Sequence, residues 1–285
     1  MRQPPLFGLL TDFGLRDGYV GVMKAVALTI APGAQLVDIS HEVAPQDVEG
    51  GAWTLGMAWR AFPVGSVLLC VVDPGVGSAR RAVALEVAGR CFVGPDNGLF
   101  TYPLEGESEV RAARCVTLDN PRYHLPSPSA TFHGRDIFAP CAAHLASGVA
   151  LEALGSLVDV ATLARLPIAL RPAWRGDALV GRVAHVDHFG NLITTIGPRE
   201  TRLALARPLA RISLGAWTIG ARATHFAAGP QDEPFFLQDS SGALAIALRD
   251  GAAAARMDAR RGDEVTLYGL DGASPSASDV GERGG

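Results

Sequence analysis

Apolar residues in the first half of the chain follow two alternating periods. Residues 6–10, 35–39 and 67–72 are short, largely apolar runs with β-branched members, too brief for a lone helix, and they predict buried strands. Between them Val20, Met23, Ala27 and Ile30 recur at helical spacing until Pro32 and Gly33, and residues 48–62, closed by Pro63 and Gly65, read as a second helix. Strand and helix in alternation predict a largely parallel sheet flanked by helices. Residues 82–87 and 90–93 add two strands joined through Ala88 and Gly89, and residues 137–147 read as a helix ending at Gly148. Residues 101–130 carry no period that decides their structure.

The texture changes after Leu157. Short strand-like runs at 179–186, 192–196, 212–214, 235–238, 244–248 and 265–268 come with little helical periodicity, which predicts a small β-barrel or sandwich. The expected organisation is therefore an α/β domain over residues 1–165, a Pro-containing linker at 166–173, a smaller all-β barrel-like domain at 174–270, and a polar Gly/Ser-rich tail at 271–285 that reads as mobile.

A length of 285 residues suits about two domains, and 48% hydrophobic against 19% charged residues excludes disorder and fibrous repeats. A formal net charge of −4 with no long basic run argues against nucleic acid and anionic membranes as partners, leaving small molecules. Cys70, Cys91, Cys115 and Cys141 show no CxxC spacing and read as buried free thiols. No apolar run approaches the roughly 20 residues that span a bilayer, and residues 1–10 lack a secretory cleavage site, so the expected location is the cytoplasm.

Candidate chemistry centres on residues 67–81. The strand there is followed by Asp73, then by Pro74, Gly75 and Gly77, and Arg80 and Arg81 return positive charge to the same corner. Open α/β sheets place their sites at carboxyl strand ends, although the stretch taken alone reads first as a tight turn with a surface salt bridge. Asp12 with Asp17, and Asp96 with Asn97, lie at other strand ends that a parallel sheet gathers on one edge. Such an acidic edge suits a cationic ligand, ribose hydroxyls or a metal; with neither HExxH nor DxDxDG present, a metal is the lesser reading. Asp12-Phe13-Gly14 lacks the companion motifs of a kinase, and Gly75-Val76-Gly77 lacks the spacing of a phosphate loop. His133 precedes the 137–147 helix, where the dipole favours neutral imidazole, and alone it reads as a cap. Further on, Asp187-His188-Phe189-Gly190-Asn191 offers either a plain turn or the aromatic face and polar edge that hold a purine. Gln238-Asp239-Ser240-Ser241-Gly242 is a turn or a set of pocket donors.

Six motifs taken in order resemble the S-adenosyl-L-methionine hydroxide adenosyltransferases, relatives of the fluorinating and chlorinating enzymes that attack the same substrate. They are TDFGxxDGYVGxMK at 11–24, VDISHEV at 37–43, VDPGVGSxRR at 72–81, FVGPDNGLF at 92–100, FHGRDIFAP at 132–140 and HVDHFGNLITTI at 185–196. The resemblance implies hydrolysis of S-adenosyl-L-methionine to adenosine and L-methionine, with water or hydroxide displacing the sulfonium at ribose C5′. It implies Asp73, Arg80 and His133 as the catalytic triad, Asp12 at the ribose, Asp17 and Asp187 at the methionine ammonium, and Phe189 and Asn191 at the adenine with Ser240 and Ser241 nearby. Gly18, Tyr19 and Gly134 complete the implied substrate site. No metal or other cofactor is implied. A homotrimer is, with each site between one subunit's first domain and a neighbour's second. The halogenating relatives carry Tyr and Thr where this chain has Asp73 and Val76, and a serine at Gly134, so the implied nucleophile is oxygen. The sulfonium leaves as a neutral thioether, so no general acid is needed. Arg80 would polarise the water, and Asp73 acting with His133 would orient it or take its proton. A non-catalytic binder of S-adenosyl-L-methionine or adenosine and a metal-dependent hydrolase built on the acidic edge are the alternatives.

Overall fold

The structure, a computed structural model, describes residues 5–105, 107–167 and 171–270. The chain divides into two compact units, Met1–Leu166 and Pro167–Gly285. The middle of the expected linker, 168–170, and the expected mobile tail, 271–285, lie outside the described residues.

In the first unit β1 (Leu6–Thr11), β2 (Gln35–Ser40), β3 (Val67–Val71), β4 (Ala82–Val87), β5 (Arg90–Pro95), β6 (Arg114–Thr117) and β7 (Leu157–Val158) form one sheet ordered β2-β1-β3-β5-β4-β6-β7. Pairing is parallel from β2 through β5, as expected, and antiparallel from β5 to β7. The switch has a local cause. Ala88 and Gly89 both hold positive φ, 48° and 71°, the twist of a two-residue hairpin turn, and so short a connection returns β5 beside β4 instead of crossing the sheet.

Side chains of β3 and of Val72 just after it divide between two cores, with Val67, Leu69 and Val71 in one and Leu68, Cys70 and Val72 in the other. Met23 and Ala27 of α1 (Tyr19–Ile30) and Ala139, Cys141, Ala142 and Ala143 of α4 (Ala139–Ala146) cover the first face; Ala52 and Leu55 of α2 (Val48–Ala58) cover the second. Burial on both faces is why the strand reads as an unbroken apolar run. The expected 48–62 helix changes at its end to a 3₁₀ turn, Trp59–Ala61. The region 101–130 consists of the 3₁₀ turns Tyr102–Leu104 and Pro121–Tyr123, α3 (Glu107–Ala112) and β6, each too short to show a period. Ahead of α4 stands a π-helical turn, Gly134–Phe138.

The second unit is an antiparallel, barrel-like sheet. Its strands are β8 (Ala173–Arg175), β9 (Ala178–Val186), β10 (Leu192–Thr194), β11 (Arg211–Leu214), β12 (Trp217–Ile219), β13 (Phe235–Gln238), β14 (Leu244–Ala247) and β15 (Glu264–Tyr268), ordered β12-β11-β15-β9-β10-β14-β13 with β8 on β9. Leu179, Ile212, Phe236, Ile246 and Leu267 lie in its core. Three features depart from expectation. Strand β8 begins at the last residue assigned to the linker, β12 is additional, and the helices α5 (Pro198–Ala206) and α6 (Ala253–Met257) interrupt a domain expected to be all-β. Helix α5 buries Thr201 and Ala204 and packs Leu203 and Leu205 partly against the core, a set confined to residues 201–205 and too short to show a helical period.

Candidate active site

The register Thr11 with Val71 brings the carboxyl ends of β1 and β3 level, so Asp12 and Asp73 leave the sheet at the same edge. Asp73 opens the loop that runs from β3 to β4. Two turns fold it, the Val76 amide donating to the Asp73 carbonyl at 3.2 Å and the Ser78 amide to the Gly75 carbonyl at 3.0 Å, with Gly77 at φ +77°. The loop thereby returns Arg80 onto Asp73. Arg80 Nε donates to both carboxylate oxygens at 3.0 Å, Nη2 donates to Oδ2, and Nη2 also lies 2.8 Å from His133 Nδ1. The Asp73 and Arg80 side chains are only 4% and 11% exposed, and the guanidinium stands 5.1 Å from the centroid of the buried Phe138 ring.

This geometry fixes a tautomer. A guanidinium only donates, so His133 Nδ1 accepts, and the neutral ring carries its proton on Nε2. Burial, followed by the charge of Arg80, holds the His133 pKa below its ordinary value, against the opposing pull of Asp73 and Asp136. Neutral imidazole is thus favoured as expected, but by burial and Arg80. His133 precedes the π-helical turn and makes no side-chain cap hydrogen bond. Asp136 faces elsewhere, accepting from the Ser129 amide at 2.8 Å and pairing with Arg135 at 2.6 Å.

The neighbouring acidic edge is structural in part. Arg81 pairs with Asp96 at 2.6 Å and donates to the Thr162 carbonyl at 2.6 Å, while Asn97 Nδ2 donates to the Val72 carbonyl at 2.8 Å. Asp96, Asn97 and Arg81 therefore brace the loop that presents Asp73. Asp12 Oδ2 accepts from the Gln46 amide at 2.7 Å. Asp17 and Gly18 are exposed just ahead of α1. The Tyr19 ring meets Phe132 at 5.2 Å and Phe13 at 5.9 Å, and a Cβ on Gly134 would lie 3.1 Å from Met23 Sδ and 3.2 Å from the Phe132 ring. These rings knit the Asp12–Tyr19 loop to the His133 turn. Sequence reasoning overlooked Phe13, Phe132 and Phe138, and the only signal for them was their position inside the quoted motifs.

In the second unit Asp187 holds its own loop. Its Oδ1 accepts from the Phe189 and Asn191 amides at 2.9 and 2.8 Å, and its Oδ2 from Asn191 Nδ2 at 2.8 Å. Asn191 is buried, while Phe189 at the loop tip is 74% exposed. Ser240 and Ser241 are exposed in the β13–β14 turn, where Asp239 Oδ1 accepts from the Ser241 amide and hydroxyl. The structure does not place them near Phe189 and Asn191. Strands β10 and β14 are antiparallel with Leu192 opposite Ile246, so the loops that precede them stand at opposite ends of the pair, roughly 13 Å apart at the rise of a strand.

Comparison with known proteins finds matches in both units of the chain. The family model for the S-adenosyl-L-methionine hydroxide adenosyltransferase N-terminal domain matches residues 7–155, and that for the C-terminal domain matches residues 181–266. An (R)-S-adenosyl-L-methionine hydrolase of Thermus thermophilus is 42% identical over 270 residues, covering 90% of this chain and 97% of its own. A fluorinase of an Actinoplanes species is 30% identical over 216 residues, covering 67% of this chain and 72% of its own. Among solved structures, a conserved protein from Thermotoga maritima superposes with a TM-score of 0.85 at 36% identity, covering 92% of this chain and all of that one.

Proposed function

Because the chain belongs to the S-adenosyl-L-methionine hydroxide adenosyltransferase family, we propose that it is an enzyme hydrolysing S-adenosyl-L-methionine to adenosine and L-methionine, with Asp73, Arg80 and His133 as its catalytic groups. The observation that carries this reading is the continuous contact from carboxylate through guanidinium to neutral imidazole. Water oxygen bonds to ribose C5′, the C5′–sulfur bond breaks with its electron pair passing to sulfur, and the thioether leaves uncharged.

Asp73 is the acceptor of the water proton. A carboxylate offers about four lone-pair sites. Arg80 occupies one on Oδ1, so Oδ1 keeps capacity for water. His133 uses its Nδ1 lone pair on Arg80 and would have to release the guanidinium to take a proton there, so its part is to hold Arg80 in place. General-base assistance of this kind contributes roughly 10²–10⁴-fold. Asp12 and Asp17 face the ribose and the ammonium from the loop that Tyr19 and Gly134 secure. Phe189 and Asn191 take the adenine within a homotrimer, from a neighbouring copy, which the exposure of Phe189 supports. Asp187 keeps the Phe189 loop in shape and contributes charge toward the ammonium. Ser240 and Ser241 are left out of the adenine contacts. Four unpaired cysteines, three of them buried, suit a reducing cytoplasm.

Chelator-treated protein incubated with S-adenosyl-L-methionine in oxygen-18 water is expected to release methionine and to place the label on the 5′ oxygen of adenosine. Binding without methionine release, or loss of turnover with the chelator, overturns the proposal.

A further inference from the structure

A second polar relay lies beside the catalytic one. The Thr11 hydroxyl is 2.8 Å from His41 Nδ1; His41 Nε2 is 3.1 Å from Asp38 Oδ1; and Asp38 Oδ2 accepts from Lys24 Nζ at 2.7 Å. Thr11 also accepts from the Phe13 amide at 3.3 Å, so its hydroxyl ties the start of the Asp12 loop to the imidazole, whichever of the two supplies the proton they share. Burial works against the charge of Asp38, but Lys24 and His41 hold its pKa below the ordinary carboxylate value. The order hydroxyl, imidazole, carboxylate is that of a nucleophile relay, but His41 Nε2 meets Asp38 by proximity and makes no hydrogen bond. Thr11 is 0% exposed and His41 3%, so no substrate reaches that hydroxyl and the relay serves another purpose.

Its position supplies that purpose. Thr11 directly precedes Asp12, and the loop after β2 grips the Asp12 loop at two further points. The Gly14 amide donates to the His41 carbonyl at 2.8 Å, and the Gln46 amide donates to Asp12 Oδ2 at 2.7 Å. We propose that His41 is a positioning residue for substrate binding, setting through Thr11 and Gly14 the loop that presents Asp12 to the ribose. The inference rests on the hydrolase reading only in naming the substrate.

The test separates the two nitrogens of the ring. His41→Asn keeps an acceptor near the Nδ1 position, whereas His41→Gln reaches toward Asp38 and abandons Thr11; Thr11→Val removes the hydroxyl at constant shape. Thr11→Val and His41→Gln are expected to raise KM for S-adenosyl-L-methionine about tenfold and to weaken adenosine binding by calorimetry in parallel, with kcat within about threefold, the pattern of lost binding alone. His41→Asn should restore KM to within about threefold of the parent. Unchanged KM and adenosine affinity in folded Thr11→Val and His41→Gln overturn the proposal, as does a fall in kcat alone. Should both fail to fold, Asp38→Asn at the half-exposed end of the relay carries the test, with a KM rise of about threefold expected and an unchanged KM overturning it. A parent protein that binds adenosine but releases no methionine sinks the hydrolase reading and leaves the adenosine affinities to decide the role of His41.

Discussion

Arg80 bonds at once to a carboxylate and an imidazole, and this demands the fork of a guanidinium. Its Nε and Nη2 face Asp73 while Nη2 reaches His133, an arrangement a lysine ammonium cannot copy although it keeps the charge. Arg80→Lys is expected to lower kcat by roughly 10²-fold with a smaller change in KM, and Asp73→Asn to lower it at least as far by removing the carboxylate proposed as proton acceptor. Steady-state release of methionine measures both, and a parental kcat in either variant would remove that residue from the catalytic set. The adjacent Arg81 belongs to a different structure, tied to Asp96 and the Thr162 carbonyl. Two like residues side by side thus take separate partners, Asp73 and His133 for Arg80, Asp96 and Thr162 for Arg81.

The element that matters most is the β3–β4 loop, because its backbone decides where Arg80 arrives. At Gly77 φ is +77°, and a Cβ would come within 2.5 Å of the Ala130 carbonyl oxygen, a backbone atom that cannot swing away. Left-handed backbone costs a non-glycine residue about 1–2 kcal/mol before any clash is counted. Gly77→Ala should therefore lower Tm by several degrees, at about 2–4 °C per kcal/mol for a chain of this class, and reduce turnover by moving Arg80. Gly33, where an added Cβ meets nothing within 4 Å and φ is not positive, provides the matched control and should tolerate alanine. Equal melting temperatures for the two variants would mean that the loop yields freely.

For the whole molecule, titration sets the pH range of stability. Burial is the leading cause that holds His124, His133 and His144 below their ordinary pKa. The unfolded chain binds these protons first, near pH 6.5, so stability is full above that value and falls as pH drops toward the folded pKa values. Lowered carboxylates act in the same direction further down. Asp119 is held low by Thr117, and Asp136 by Arg135; their contribution is present above about pH 4 and is lost as pH falls through the folded values. Urea midpoints measured from pH 8 to pH 4 should stay level above about pH 7 and then decline; a midpoint that rises on acidification would contradict the burial of these imidazoles.

The sequence by itself determined the two-sided apolar strands, the helices between them and the parallel half of the first sheet, because side-chain period is a local property that burial imposes on each element. It also determined the family chemistry, through motifs whose order spans both units. Only the tertiary structure decided that Arg81 turns to Asp96 and the Thr162 carbonyl, that Asp187 is occupied within its own loop, that α5 and α6 interrupt the barrel, and that Ser240 stands at the far end of the strand pair from Phe189. Those outcomes depend on register and on the closure of long loops between residues far apart in the chain, and no local pattern encodes which ends will meet.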